Sequence, residues 1–413
     1  MRLPGRPASK NLAGIVRPNP VLTPEPNKLL TQALNHPLDG FSLDRYLKSA
    51  PGVLLVINDA TRPTPSSRLL DHLLPRLDGR QLEILVATGT HRPPSQDVLK
   101  GLLGRHYPDL VSCTMSHDCL ADKDMVRIGA TSRGTELVFN RRVVEAERIL
   151  VLGSVEPHYY AGFTGGRKGL MPGAASRFSV ESNHRFALDP RAKPLALDGN
   201  PCHEDMEEAV RLLKPDGVFG LNVVLDREGR IYFAACGELS ASFRSAVEKA
   251  REVFAVSVPQ PADIVVSAAA PPLDNDLYQM QKVIEHGRLA LKKGGILIAV
   301  SPCHEGLGPS HYLRHLYAAA VPEEVMALTR KAYSLGDHKA VKIAEVKIAA
   351  DLWAVTGLPP ETLEKAFITP FADLQEAVDE ALRRQGPQAK VLFLPLGSLT
   401  VPVVKNQEVD YVS

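Results

Sequence analysis

The sequence predicts an α/β protein of two α/β domains with a cleft between them and an active site at the C-terminal ends of the N-terminal-domain strands. Three observations carry this expectation. Short apolar runs alternate with segments of helical periodicity along most of the chain, the signature of stacked β-α units. The runs end in loops rich in Pro and Gly, through which neither strand nor helix extends. Finally, 413 residues exceed the roughly 250–300 that one hydrophobic core serves.

The elements follow in order. Residues 53–57 (VLLVI) form a continuous apolar run that ends at Asn58-Asp59, where Pro63 and Pro65 forbid further strand. A helix over 66–77 comes next, with Ser66 or Ser67 as its cap. A second strand, 82–87, stops at Thr88-Gly89-Thr90-His91, and Ser95 opens the following helix. A third, 148–152, runs into Glu156-Pro157-His158. Ligands of open α/β sheets bind beyond the carboxyl ends of strands, so Asp59, Arg62, His91 and His158 are expected to converge on one crevice. Strands at 218–225 and 231–235 form a hairpin, and a helix spans 241–254. The Pro-containing break at 258–262 marks a domain boundary. This gives a catalytic domain over 1–258, rejoined by the tail 398–413, and a smaller α/β domain over 259–397. In the latter, strands at 263–269 and 295–300 flank a helix over 276–291. Further helices run through 338–348, and a last strand covers 391–394.

Composition narrows the function classes. Lys plus Arg number 48 against 47 Asp plus Glu, so no charge excess points to nucleic acid or an anionic membrane. No run approaches the ~18 apolar residues of a bilayer span, and the basic N-terminus lacks the apolar stretch of a secretory signal. The five cysteines form no CxxC pair and read as reduced thiols. A cytoplasmic enzyme acting on a small molecule is expected, with no nucleic acid and no membrane partner; a homo-oligomer is compatible with all of this.

Chemistry concentrates in Glu156 to Gly173, where Gly162, Gly165, Gly166, Gly169 and Gly173 surround Lys168. Neither the phosphate-loop pattern GxxxxGK[ST] nor the dinucleotide fingerprint GxGxxG is present, and a glycine-rich turn with a structural lysine stands as an equal reading. His91 and His158, on separate strand ends, suit proton transfer at two faces of one carbon, although a single histidine is more often structural. His184 fits a metal ligand, a cap or a surface residue. Arg62, held by Asp59, is either a carboxylate clamp or a surface ion pair. Gln279 and Lys282 share a helix face at i, i+3, turned either to the cleft or to solvent.

Together these motifs resemble the nickel-dependent lactate racemase family: Asp59-Ala-Thr-Arg62-Pro63, Thr88-Gly-Thr-His91-Arg92, Glu156-Pro-His158-Tyr159, Gly165-Gly166-Arg167-Lys168, His184, and Tyr278-Gln279 with Lys282. The resemblance runs from about residue 58 to 396. It implies a nickel pincer nucleotide, a pyridinium-3-thioamide-5-thiocarboxylic acid mononucleotide holding nickel through a carbon and two sulfurs, covalently linked through Lys168. His184 would complete the nickel coordination, as an imidazole suits that metal. His91 and His158 would be the acid/base pair and Arg62 the carboxylate-binding cation. Asp59, Gly165 and Gly166 would lie on the cofactor side, with Tyr278, Gln279 and Lys282 closing the site from the second domain. The implied reaction inverts C2 of a small 2-hydroxy acid by proton-coupled hydride transfer through a 2-oxo acid, and the implied partners are the proteins that build the cofactor.

One departure bears on substrate. Where lactate-specific members place a pocket tryptophan this chain aligns Lys339, and its only tryptophan is Trp353. The expected substrate is therefore larger or more polar than lactate, a malate-like diacid or a sugar acid. Two other functions compete. A 2-hydroxy acid dehydrogenase using a diffusible nicotinamide cofactor needs the dinucleotide fingerprint that is missing. A non-catalytic hydroxy-acid or metal-binding protein of the same fold needs no acid/base pair.

Overall fold

The computed structural model describes residues 10–48, 50–271 and 273–405. The chain forms two compact units, one spanning Pro20–Val253 and one that joins the stretch before Pro20 to the stretch from Phe254 onward.

In the first unit six strands form one sheet in the order Ile231–Glu238, Phe219–Leu225, Ile149–Ser154, Gly52–Asn58, Gln81–Ala87, Thr114–Ser116. Neighbours are parallel except for the first pair, the expected hairpin. The central strands are covered on both faces, which is why Val53 to Ile57 is continuously apolar and buried rather than alternating. From Gly52–Asn58 the chain steps outward to Gln81–Ala87 and Thr114–Ser116; from its neighbour Ile149–Ser154 it steps the other way. These two strands are therefore the switch point of the sheet, beyond whose C-terminal ends ligands bind in open α/β folds. The helix Ser66–Leu73 begins one residue earlier than a serine cap requires, with Pro65 at the capping position and no side-chain bond. Ser95 does cap its helix, accepting from the Val98 amide at 3.4 Å.

The second unit holds a six-stranded, wholly parallel sheet in the order Leu12–Ile15, Val391–Leu394, Ala262–Ala268, Leu291–Val300, Asp351–Val355, Thr369–Phe371. Trp353 is fully buried in it and stacks on Phe371 at 4.8 Å. The boundary falls at Val253/Phe254, and two segments belong elsewhere than the sequence suggested. The strand Leu12–Ile15 lies not in the catalytic unit but beside Val391–Leu394, fixed by Val16 N–H donating to the Phe393 carbonyl at 2.8 Å. The described part of the tail pairs through Val401–Val404 with Ala255–Val258, so it completes the C-terminal unit instead of rejoining the first. Burial of Val258 and Val401 in this parallel pair supplies the reason. Residues 406–413 of the expected tail lie outside the described residues. Among the described residues no helix is long and apolar enough to cross a membrane.

Candidate active site

The loops beyond the switch point are tied together by side chains. Thr64 Oγ1 donates to Asn58 Oδ1 at 2.8 Å and accepts from the Ser154 amide at 3.1 Å, joining the loop after Gly52–Asn58 to the end of Ile149–Ser154. Thr164 Oγ1 donates to the Ser154 carbonyl at 3.1 Å and accepts from the Glu156 amide at the same distance. The Gly89 amide donates to the Gly173 carbonyl at 3.0 Å, binding the His91 turn to the glycine-rich loop. The loops carrying Asp59, His91, His158 and Lys168 thus form one connected surface.

Asp59 is buried, and its partner is His91, a contact that sequence spacing did not suggest. His91 Nδ1 lies 2.7 Å from Asp59 Oδ2, while Thr61 Oγ1 donates to Asp59 Oδ1 at 2.6 Å. Burial pushes the Asp59 carboxyl up, but the hydrogen bond and charge of His91, the Thr61 hydroxyl and the charge of Arg62 outweigh it and hold the group below the ordinary carboxylate range. An ionised carboxylate only accepts, so Nδ1 of His91 carries the proton and Nε2 is left as the basic nitrogen. The His91 side chain is 38% exposed, enough to exchange that proton with water. Arg62, by contrast, is not held by Asp59. Its guanidinium bonds the Thr61 carbonyl at 3.4 Å, and among the described residues no carboxylate is within ion-pair distance of it. It is a half-buried cation.

His158, Lys168 and His184 meet on a residue the sequence reading passed over, Tyr160. Its ring lies edge-on to His158 at 4.4 Å and to His184 at 5.0 Å, and the Lys168 ammonium sits over it at 5.2 Å. All four are buried. The doubled tyrosine after His158 was the available signal. His158 Nδ1 accepts from the Ala161 amide at 3.3 Å, so the neutral ring carries its proton on Nε2. The two histidines are thereby set in opposite tautomers, His91 as acceptor and His158 as donor at Nε2. His184, the last residue of the helix Arg177–His184, bonds Asn183 Oδ1 through Nδ1 at 3.2 Å. Among the described residues no group of three or more His, Cys, Asp or Glu is placed to hold a metal.

Gly165 and Gly166 are required by packing of the loop itself. At φ +79 a Cβ on Gly165 would lie 2.7 Å from Val155 Cγ2, and at φ +52 one on Gly166 would lie 2.7 Å from the Phe243 side chain. L-residues disfavour both conformations. Beneath the loop Arg167 is fully buried, donating to the Ala161 carbonyl at 2.8 Å and lying over Phe243 at 4.4 Å. Burial lowers its pKa to about 10, with Glu207 opposing, so at neutral pH it is a charged clamp that fixes the backbone around Lys168.

The remaining predicted residues lie in the C-terminal unit. Tyr278, Gln279 and Lys282 belong to the helix Leu277–Gly287, whose cap Asp276 accepts from the Gln279 amide at 2.7 Å. Lys339, in the helix Asp337–Ala349, is buried; its ammonium donates to the Tyr278 carbonyl at 2.7 Å and sits over the Tyr278 ring at 3.6 Å. Burial first, and the charge of Lys282 second, lower the Lys339 pKa from 10.5 to about 7, against the pull of Asp276 and Glu285. Between those two values the unfolded chain binds a proton that the folded chain does not, so this group makes stability rise with pH from about 7 towards 10.5. Lys339→Met is expected to remove that rise. Urea midpoints of wild type and variant across this range check it, and equal slopes for the two would contradict the assignment.

Residues 4–194 match the family model of the lactate racemase N-terminal domain, and residues 258–403 that of the lactate racemase C-terminal domain. A lactate racemase of Thermoanaerobacterium thermosaccharolyticum is 32% identical over 383 residues, covering 89% of this chain and 88% of that protein. One from Lactiplantibacillus plantarum is 30% identical over 389 residues, covering 90% and 91%. Among solved structures, the lactate racemase apoprotein from Thermoanaerobacterium thermosaccharolyticum superposes with a TM-score of 0.88 at 28% identity, covering 98% of this chain and 97% of that one. A Thermotoga maritima protein shares the fold at TM-score 0.71 and 18% identity, covering 93% and 100%.

Proposed function

The chain belongs to the lactate racemase family, and from that premise we propose that it is an isomerase that inverts C2 of a 2-hydroxy acid with a nickel pincer nucleotide tethered to Lys168. The observation that carries this is the meeting of Lys168, His184 and His158 on the Tyr160 ring. A nucleophilic amine and a single imidazole in one buried place suit a metal that arrives with most of its ligands already bound to an organic group. Lys168 and His184 are the residues that would hold it. When bound, such a group supplies a reversible hydride acceptor, chemistry that no side chain provides.

The chain's own residues do the rest. Arg62, whose guanidinium bonds only the Thr61 carbonyl among the described residues, takes the substrate carboxylate, a charge-assisted contact worth roughly 1.5–3 kcal/mol. His91 Nε2 removes the hydroxyl proton, and Asp59 stabilises the imidazolium that results. His158 presents Nε2–H as a donor to the substrate oxygen on its side of the site. Loss of a proton from the hydroxyl rather than from C2 avoids building carbanion charge beside a carboxylate.

The substrate we propose is larger or more polar than lactate. Support comes from Lys339, buried where lactate-specific members carry a tryptophan, and from Lys282, near enough that its charge adds to burial in lowering the basicity of Lys339. A second carboxylate or added hydroxyls would be better matched to these two lysines than the methyl group of lactate. The test is a stereochemical assay of holoenzyme, made in a host with the cofactor-building proteins, against a panel of 2-hydroxy acids. A diacid or sugar acid is expected to exceed lactate in kcat/KM by about tenfold or more, the scale of one added polar contact. Lactate as the best substrate by a wide margin would refute the substrate assignment. Racemisation that survives removal of both His91 and His158 would refute the mechanism.

A further inference from the structure

Behind His184 runs a buried polar chain that the racemase chemistry above leaves unused. Asp205, fully buried, accepts from Thr131 Oγ1 at 2.5 Å, from Thr135 Oγ1 at 2.8 Å and from Asn183 Nδ2 at 2.8 Å. Asn183, also fully buried, donates a second bond from Nδ2 to the Cys202 carbonyl at 3.2 Å. Both partners of Nδ2 are acceptors, a carboxylate and a backbone carbonyl, so the amide has only one orientation that satisfies them. Its Oδ1 is therefore the atom 3.2 Å from His184 Nδ1. An amide oxygen cannot donate, so His184 Nδ1 must.

We infer that Asn183, locked by Asp205, is a positioning residue that holds neutral His184 in the Nδ1–H tautomer and so presents an unprotonated Nε2 as the ligating nitrogen. The inference deepens the proposed cofactor reading and rests on it only for what Nε2 ligates. Metal-bound histidines commonly need such a partner on the second ring nitrogen to fix tautomer and ring plane. Here the device is preformed in the chain: a carboxylate orients an amide, and the amide orients the imidazole. Sequence spacing could not reveal it, because Asp205 reaches Asn183 from the separate helix Pro201–Leu213.

The test reads the tautomer directly, by nitrogen-15 NMR of histidine-labelled apo-protein at alkaline pH, with His184→Gln identifying the signal. Wild type is expected to show a protonated Nδ1 and an unprotonated Nε2 at His184. In Asn183→Leu that preference is expected to vanish, and nickel retained per chain after cofactor loading to fall by about 10–100-fold. A proton on Nε2 in wild type overturns the inference, whether or not Asn183→Leu folds. So does an unchanged tautomer, or unchanged nickel retention, in a folded Asn183→Leu. Wild type with the expected tautomer but no nickel uptake would overturn the cofactor reading instead and leave the Asp205–Asn183–His184 chain standing.

Discussion

Replacing Lys168 by alanine is expected to abolish the covalent cofactor adduct and lower racemisation on the order of 10⁶-fold, the lower end of what an enzyme contributes in total. A thioamide tether needs an amine, and Lys168 is the buried lysine of the glycine-rich loop, held over Tyr160 with His158 and His184 on the same ring. On the proposed reading the hydride acceptor leaves without its tether, and neither Arg62 nor the histidines can substitute for it. Lys168→Arg separates the two properties of the lysine. It keeps a cation for the Tyr160 face but offers no nucleophilic amine, so it should retain the fold and lose the adduct as completely as alanine does. Intact mass and nickel per chain, measured on protein from a cofactor-making host, decide the matter; an adduct of full mass in Lys168→Ala would place the tether elsewhere.

Asp59→Asn is the second large effect, expected to lower kcat by about 10²–10⁴-fold with little change in fold. Thr61 donates to Asp59 Oδ1 from both its hydroxyl and its amide, at 2.6 and 3.2 Å. In the variant the amide oxygen must stay there to receive them, which turns the NH2 towards His91. His91 Nδ1 then has to accept, the ring moves its proton to Nε2, and the base is lost although every heavy atom keeps its place. Measured kcat should fall far more than KM rises, because the carboxylate contact proposed for Arg62 is untouched. A variant with wild-type kcat would show that His91 needs no orienting carboxylate.

How much of this was legible in the sequence follows from the range of the interactions involved. The strands Gly52–Asn58 and Ile149–Ser154 announce themselves because burial on both faces demands nearly unbroken apolar runs, and Gln81–Ala87 does so from Ile84 onward. Polar residues at their ends then mark the crevice. Leu12–Ile15 and Val401–Val404 carry only four residues each, too short for periodicity, and each finds its partner far along the chain. The same applies within the site. His91, His158, Lys168 and His184 stood out by residue type and by resemblance, but the pairing of Asp59 with His91 joins two loops and the meeting at Tyr160 joins three segments. Arg62 next to Asp59 suggested an ion pair that the folded loop does not make, since His91 and Thr61 already occupy that carboxylate. Asn183 was hidden for another reason. A buried asparagine beside a histidine has no pattern, and its orientation is set by Asp205.

The edge strand Leu12–Ile15 has a consequence for synthesis. Leu12–Ile15 is finished, structurally, only by Val391–Leu394, which is synthesised long after it. At translation speeds of about 5–20 residues per second this strand waits on the order of tens of seconds with its backbone unpaired. Meanwhile Pro20–Val253, continuous in the chain, can fold behind it. A circular permutant that begins in the exposed turn around Gly229 would carry 391–394 ahead of 12–15 in the order of emergence and shorten that wait, and its yield at growth temperature would report how much the delay costs the cell.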